Sequence, residues 1–539
     1  MTASKAVKAE RATTEMTLGL FDGTNTTEMI GATHTAELVI ALCGPIGSPL
    51  HQVSTALKES LTASFGYDEC KLIRLSDFIS EHAPTVGVTI PPTYTDGFER
   101  ITSQIDAGNR LREKHGAGIL AELAINEIRL DRERHKVENQ HTRYESRRVC
   151  HIIDSIKNKE ELALLRLVYR EMLYVVGVFA PLELREANLK AKEVSVGNVY
   201  RLIDRDSGEE SEGGQTVRET FPNSDFFLRI DKGTDANLQR RVERFLHLIL
   251  GTKVITPTAQ ESAMYAAAMA ATNSACLSRQ VGAAVTDPNG ALLSVGWNDV
   301  PRFAGGLYAA DPESDPHGDK DQRCFNLDGG KCFNDEEKDR LADEIVRALG
   351  DVVPEDRMEA ATRAIKGSSK LRGLIEFSRA IHAEMHAIIN AGQAAGGRMK
   401  DGKLFVTTYP CHSCARHIVA AGIREVYYIE PYRKSLAIKL HGDAMSEKEG
   451  DVEKVRILAY DGVAPGRYLG LFKVPQDSRK KNGKLIRIGL QDASPRLEKS
   501  MEAFPVLESL VVKSLQGKNL LPTTEKSDDV QPPSPPAEL

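Results

Sequence analysis

Tryptophan is almost missing from this chain, with one residue in 539, and aromatic residues together make up only 6%. Proteins that track single-stranded nucleic acid stack its bases on aromatic side chains, so this scarcity weighs against that class. A strong basic excess is also lacking: the net charge is −6 and the pI near 6.2, although a local basic patch stays open. No uninterrupted apolar stretch approaches the ~20 residues that span a bilayer. The first thirty residues are polar and threonine-rich, without a basic start leading into an apolar core, so no secretory signal is expected. The eight cysteines are unclustered, which argues against a disulfide framework and for a reducing compartment, the cytoplasm. What remains is an ordinary soluble composition, 41% hydrophobic and 27% charged. The chain is too long for one core, so two domains with flexible ends are expected.

Residues 1–34 read as a disordered tail. A first α/β unit, 35–251, opens with the buried-strand run Glu37 to Cys43, a turn at Gly44-Pro45-Ile46-Gly47-Ser48, and a helix ending near Gly66. Strand runs follow at Lys71–Leu75, Val149–Asp154 and Leu173–Phe179, with charged amphipathic helices over about 97–138. Strands alternating with helices imply a parallel sheet covered on both faces. The stretch from 206 to 216 reads as a surface loop.

A second unit, 252–515, begins with an Ala- and Met-rich helix from Ser262 to about Ala275. Two alternating runs, Val281–Val285 and Ala291–Gly296, flank Asp287-Pro288-Asn289-Gly290, a hairpin signal. A helix then starts near His382-Ala383-Glu384. Strand Leu404–Thr408 leads to Pro410-Cys411-His412-Ser413-Cys414, where Pro410 reads as a helix opener, and strand Glu425–Ile429 follows. A last strand, Val455–Tyr460, could close this mixed sheet, and 516–539 is a disordered tail by composition.

His382, Cys411 and Cys414 offer one imidazole and two thiolates, three ligands for a tetrahedral zinc ion with its fourth position open to water. His382 and Glu384 are about 200° apart on a helix, so they converge only at an open first turn. Cys411 and Cys414 share one face of another first turn, where the positive helix end favours thiolate. A lone C-x-x-C could equally be a redox pair or half a zinc knuckle; the upstream His-Ala-Glu makes it catalytic. H-x-E…P-C-x-x-C is the zinc nucleobase-deaminase pattern. His386, His412 and His417 are expected to be supporting or surface groups. The roughly eighty-residue insertion between Pro301 and His382 carries His317, Cys324 and Cys332, which could join another ligand in a second zinc site.

The first unit resembles P-loop nucleotide kinases: Gly44-x-x-Gly47, with Ser48, follows a strand and precedes a helix. Its chemistry is missing, because Pro49, Leu50 and His51 stand where a working loop has glycine, lysine and a hydroxyl. Asp154 could orient magnesium or simply cap a helix. A regulatory module is the better expectation.

Residues 252 to about 470 resemble deoxycytidylate deaminases through Ser278-Arg279-Gln280-Val281-Gly282-Ala283, Gly296-x-Asn298-x-x-Pro301, His382-Ala383-Glu384 and Pro410-Cys411-His412-Ser413-Cys414. Joined to a degenerate P-loop unit, the whole is similar to bacterial anti-phage dCTP deaminases. The resemblance implies a cytidine-deaminase-like αβα sandwich beside a P-loop-kinase-like parallel sheet. It implies a zinc-dependent hydrolase of cyclic amidines that converts dCTP and dCMP to deoxyuridine nucleotides and ammonia, draining the nucleotide pool in antiviral defence. It also implies a homo-oligomer and a regulatory RNA or nucleotide effector acting at or through the first unit. Glu384 would take a proton from the zinc-bound water and return it to N3 and the leaving amine. Asn298 would contact the sugar. Arg279 is a candidate phosphate partner or a structural salt bridge. The alternatives are a deaminase of RNA or single-stranded DNA, riboflavin-pathway deamination, and a mainly regulatory nucleotide- or RNA-binding protein.

Overall fold

The computed structural model describes residues 34–521 except 93–95, 142–144, 207–215, 232–234, 314, 328, 351, 432–434, 475–478 and 497–502. The expected tails, but for His34 and residues 516–521, and the expected loop at 206–216, but for its two end residues, lie outside the described residues. Two six-stranded sheets carry the fold, which is mixed α/β with mostly parallel pairing.

The first sheet contains β1 (Leu38–Cys43), β2 (Glu69–Arg74), β3 (Val149–Asp154), β4 (Leu173–Phe179) and β5 (Phe226–Arg229), all parallel, in the order β5-β4-β1-β3-β2. β1 is buried along its whole length, as unbroken aliphatic runs require when helices cover both faces. Asp154 ends β3, yet it caps no helix; Asn158 does, in a capping box with Glu161 ahead of the helix Lys159–Tyr169.

The second sheet contains β6 (Gly282–Thr286), β7 (Leu292–Trp297), β8 (Lys403–Thr408), β9 (Glu425–Glu430), β10 (Met445–Ser446) and β11 (Val455–Ala459). Its order is β10-β11-β9-β8-β6-β7, with the β6–β7 hairpin antiparallel and β8, β9, β11 and β10 parallel. The expected last strand is therefore not the edge; two-residue β10 lies outside it. The leading helix runs Ala259–Ala271, starting earlier than expected because Thr258 and Glu261 form a capping box.

At Gly296 helix and hairpin meet with no side chain between them. A Cβ on Gly296 would lie 2.3 Å from the nitrogen of Ala387 and 2.6 Å from the carbonyl of Ala383, both on the helix Ala383–Ala395. Gly296→Ala should therefore lower stability by at least the ~1–3 kcal/mol of an overpacked core. A denaturation midpoint equal to wild type would contradict this close approach.

The two sheets share one continuous apolar cluster, in which Val175 and Phe227 join Met264, Phe405 and Tyr427. The chain then returns to its first half. β12 (Gly462–Val463) pairs antiparallel with β5, and the helix Ala503–Gly517 buries Glu508 against Arg132 and the hydroxyl of Tyr169, which donates to it at 3.0 Å.

Candidate active site

Two strand-to-helix junctions build the site. His382 caps the helix Ala383–Ala395, with Glu384 in its first turn. β8 ends at Thr408, and Cys411 caps the helix His412–Ala420, its sulfur accepting the amide of Cys414 at 3.4 Å. Pro410 thus stands just before the cap instead of opening the helix itself.

His382 Nδ1 lies 3.2 Å from Cys414 Sγ and 3.4 Å from Cys411 Sγ. All three donor atoms fall within 4.8 Å of one another. Tetrahedral zinc donors with bonds of ~2.0–2.3 Å stand about 3.5 Å apart, so this soft nitrogen–sulfur set fits the ion. The Cys411 thiol is held down at about 4, first by the hydrogen bond with Cys414 and then by His382, against burial. Cys414 moves the other way, pushed up by the same bond and by burial. His382 is raised to about 9, chiefly by its contact with Cys411. Glu384 is 5% exposed, and burial raises its carboxyl above the usual range. Among the described residues His382, Cys411 and Cys414 are the one metal-competent group; His317, Cys324 and Cys332 do not gather into a second.

These groups open on a cavity of about 500 Å³ that also reaches Arg279, Asn298 and Tyr409. Asn298 is 8% exposed, its amide accepting from Val281 N at 2.7 Å and donating to Arg279 O at 2.9 Å. It therefore fixes the 279–281 backbone at the cavity wall. Arg279 sits at the rim and faces Glu430 at 3.0 Å, which the hydroxyl of Thr408 also bonds. Of its two expected roles, the salt bridge is the one seen.

His386 is buried and its pKa lowered by burial, with Nδ1 shared between the backbone N and O of Trp297. It supports the helix that carries His382. Sequence reasoning missed Tyr409, whose buried hydroxyl donates to Glu447 at 2.8 Å. Its place beside Pro410 was the available signal, but the partner lies 38 residues away.

The loop at Gly44, Gly47 and Ser48 is some distance along the chain and differently occupied. Gly47 has φ +83°, which suits glycine. The amide of Ile46 donates to Asp206 Oδ2 at 2.6 Å, and Lys157 bridges Asp206 Oδ1 at 2.9 Å and the Gly44 carbonyl at 2.8 Å. Arg185 and Asn188 take the carbonyls of Ile46 and Gly47, each at 2.8 Å. A carboxylate from the chain itself thus meets an amide of the turn, while Ser48 Oγ is buried without a hydrogen-bond partner.

Residues 257–430 match the family model described as the cytidine and deoxycytidylate deaminase zinc-binding region. ComE operon protein 2 of Bacillus subtilis (strain 168) is 46% identical over 57 residues, 10% of this chain and 29% of that protein. The chain thus spans under a third of that relative's length. Deoxycytidylate deaminase of Enterobacteria phage T4 is 30% identical over 166 residues, 30% of this chain and 72% of the phage protein. The dCMP deaminase of cyanophage S-TIM5, solved with dCMP and dUMP, aligns with 38% of this chain and 99% of its own at 20% identity. The TM-score of that alignment is 0.23. With the phage T4 relative covered over most of its length and the zinc-binding region matched through both motifs, this chain belongs to the deoxycytidylate deaminase family.

Proposed function

We propose that the chain is a zinc-dependent hydrolytic deaminase of free deoxycytidine nucleotides, dCTP and dCMP, yielding deoxyuridine nucleotides and ammonia. The observation that carries this reading is the convergence of His382, Cys411 and Cys414 beside buried Glu384 in one cavity. A zinc ion on these three residues supplies the Lewis acidity that lets water lose a proton near neutral pH. Glu384 takes the proton of the attacking water and gives it to N3 as C4 becomes tetrahedral. It then takes the remaining proton from the C4 hydroxyl and passes it to the amine, which leaves as ammonia as the C4 carbonyl forms and the C4–N bond breaks. Burial raises the Glu384 carboxyl, which suits a group that must both accept and return a proton. Asn298 holds the backbone on which the sugar would lie.

The net charge of −6 and the 6% aromatic content favour free nucleotides over RNA or single-stranded DNA. The first unit, 35–251, is read as P-loop-kinase-like, supported by five parallel strands and by a glycine turn between β1 and a helix. The second, 252–515, is read as the deaminase unit that lends its last segment back to the first. Asp206, bonded to the amide of Ile46 in the turn, favours a regulatory role over hydrolysis, and an RNA or nucleotide effector would act through this unit. Pool depletion in anti-phage defence and a homo-oligomer in the cytoplasm complete the proposal. Among the described residues no helix is long and apolar enough to cross a membrane.

The test is ammonia release from dCTP, dCMP, CTP and a single-stranded oligonucleotide by the purified full chain. Release from the free deoxycytidine nucleotides is expected. Release from the oligonucleotide alone would replace this reading with nucleic-acid editing.

A further inference from the structure

The segment between Pro301 and His382 leaves and re-enters beside the site, closed at its stem by the antiparallel bridge Asp299–Ile381, whose amide donates to Asp299 O at 3.0 Å. It is therefore fastened immediately before His382. Within it, the first turn of the helix Phe333–Ala348 and the stretch 372–380 form one wall of the cavity that holds Glu384. Lys338, Arg372 and Arg379 are all among the residues that line this cavity.

The charges there do not cancel. Asp299 is occupied by the amides of Ala275 and Val300 and by Arg323. Arg279 is spent on Glu430. Lys338 shares itself between Asp335 at 3.4 Å and the carbonyl of Arg372 at 3.1 Å. The guanidinium of Arg372 has no carboxylate partner among the described residues. Arg379 lies over the Phe333 ring at 5.0 Å, and its Nη1 is buried without a hydrogen-bond acceptor. A buried guanidinium nitrogen without an acceptor is costly, and a phosphate oxygen would relieve it. The start of a 16-residue helix adds its positive end to the same wall.

Resting on the deaminase reading, we propose that Lys338, Arg372 and Arg379 form the subsite for the substrate's 5′-phosphate chain. The occupant is an extended polyphosphate, so a nucleoside triphosphate gains more from this wall than a monophosphate. The segment 302–381 is thus the specificity element of the site, and the zinc-ligand turns are its chemical element.

The experiment measures kcat/KM on dCTP, dCMP and deoxycytidine for wild type, Arg372→Gln, Arg379→Gln, the double variant and Arg372→Lys, with zinc content as a folding control. Each lost charge-assisted contact should lower kcat/KM on dCTP about tenfold to hundredfold, mainly through KM. The loss on dCMP should be smaller, deoxycytidine should be unaffected, and Arg372→Lys should retain part of the dCTP rate. Equal losses on all three substrates, or none on dCTP, would overturn the subsite. Calorimetric binding of inorganic tripolyphosphate to the same proteins separates the two readings. If wild type deaminates nothing yet binds tripolyphosphate, and the double variant does not, the subsite stands without the deaminase. Binding that is absent from wild type or equal in both removes the subsite.

Discussion

Glu384→Gln should lower turnover by about 10²–10⁴-fold, the range of general acid–base catalysis, while leaving the metal in place. Glutamine fills the same buried space, so the first turn of the helix Ala383–Ala395 has no cavity to collapse into. What it cannot do is accept a proton from water or return one to the ring and the amine. The three donor atoms come from His382, Cys411 and Cys414, and none from Glu384. Rate and zinc content should therefore separate in this variant. Substantial activity with zinc retained would show that the proton travels by another group.

The second large effect is expected in the first half of the chain, at the glycine turn. Asp206 is 2% exposed and joins the amide of Ile46 to the ammonium of Lys157. Removing one member of such a buried pair leaves the other without compensation, at a cost of about 3–5 kcal/mol. Asp206→Ala should accordingly destabilise the chain by that amount in denaturant titration. A change below ~1 kcal/mol would mean that water replaces the carboxylate freely and that the glycine turn is an open site.

Much of this arrangement was legible in one dimension because its signals are local. The strings around His382 and Cys411 each place their groups at a helix start, where a cap and a first turn aim them outward. The aliphatic runs of β1, β3 and β4 announce strands buried on both faces in the same way. The signals that were not legible are those between distant residues. Asp206 meets Ile46 across 160 residues, and Glu508 meets Arg132 across 376. Two-residue β12 has no pattern of its own and exists only as an edge for β5. Arg372 and Arg379 flank a short mixed stretch with no site motif, and the Asp299–Ile381 stem and the bond from Lys338 to the Arg372 carbonyl, across 34 residues, are contacts between distant residues. Arg279 carried two readings in sequence, and its ion-pair partner Glu430 lies 151 positions away.

The central claim is that a zinc ion on His382, Cys411 and Cys414 is required for deamination. Its most direct test is metal analysis and ammonia release on one preparation, before and after chelation, beside Cys411→Ser. One zinc per chain is expected, with parallel loss of metal and activity on chelation, recovery of both on adding zinc, and weakened metal retention in the variant. Full turnover by a zinc-free protein, or undiminished zinc binding after Cys411→Ser, would contradict it.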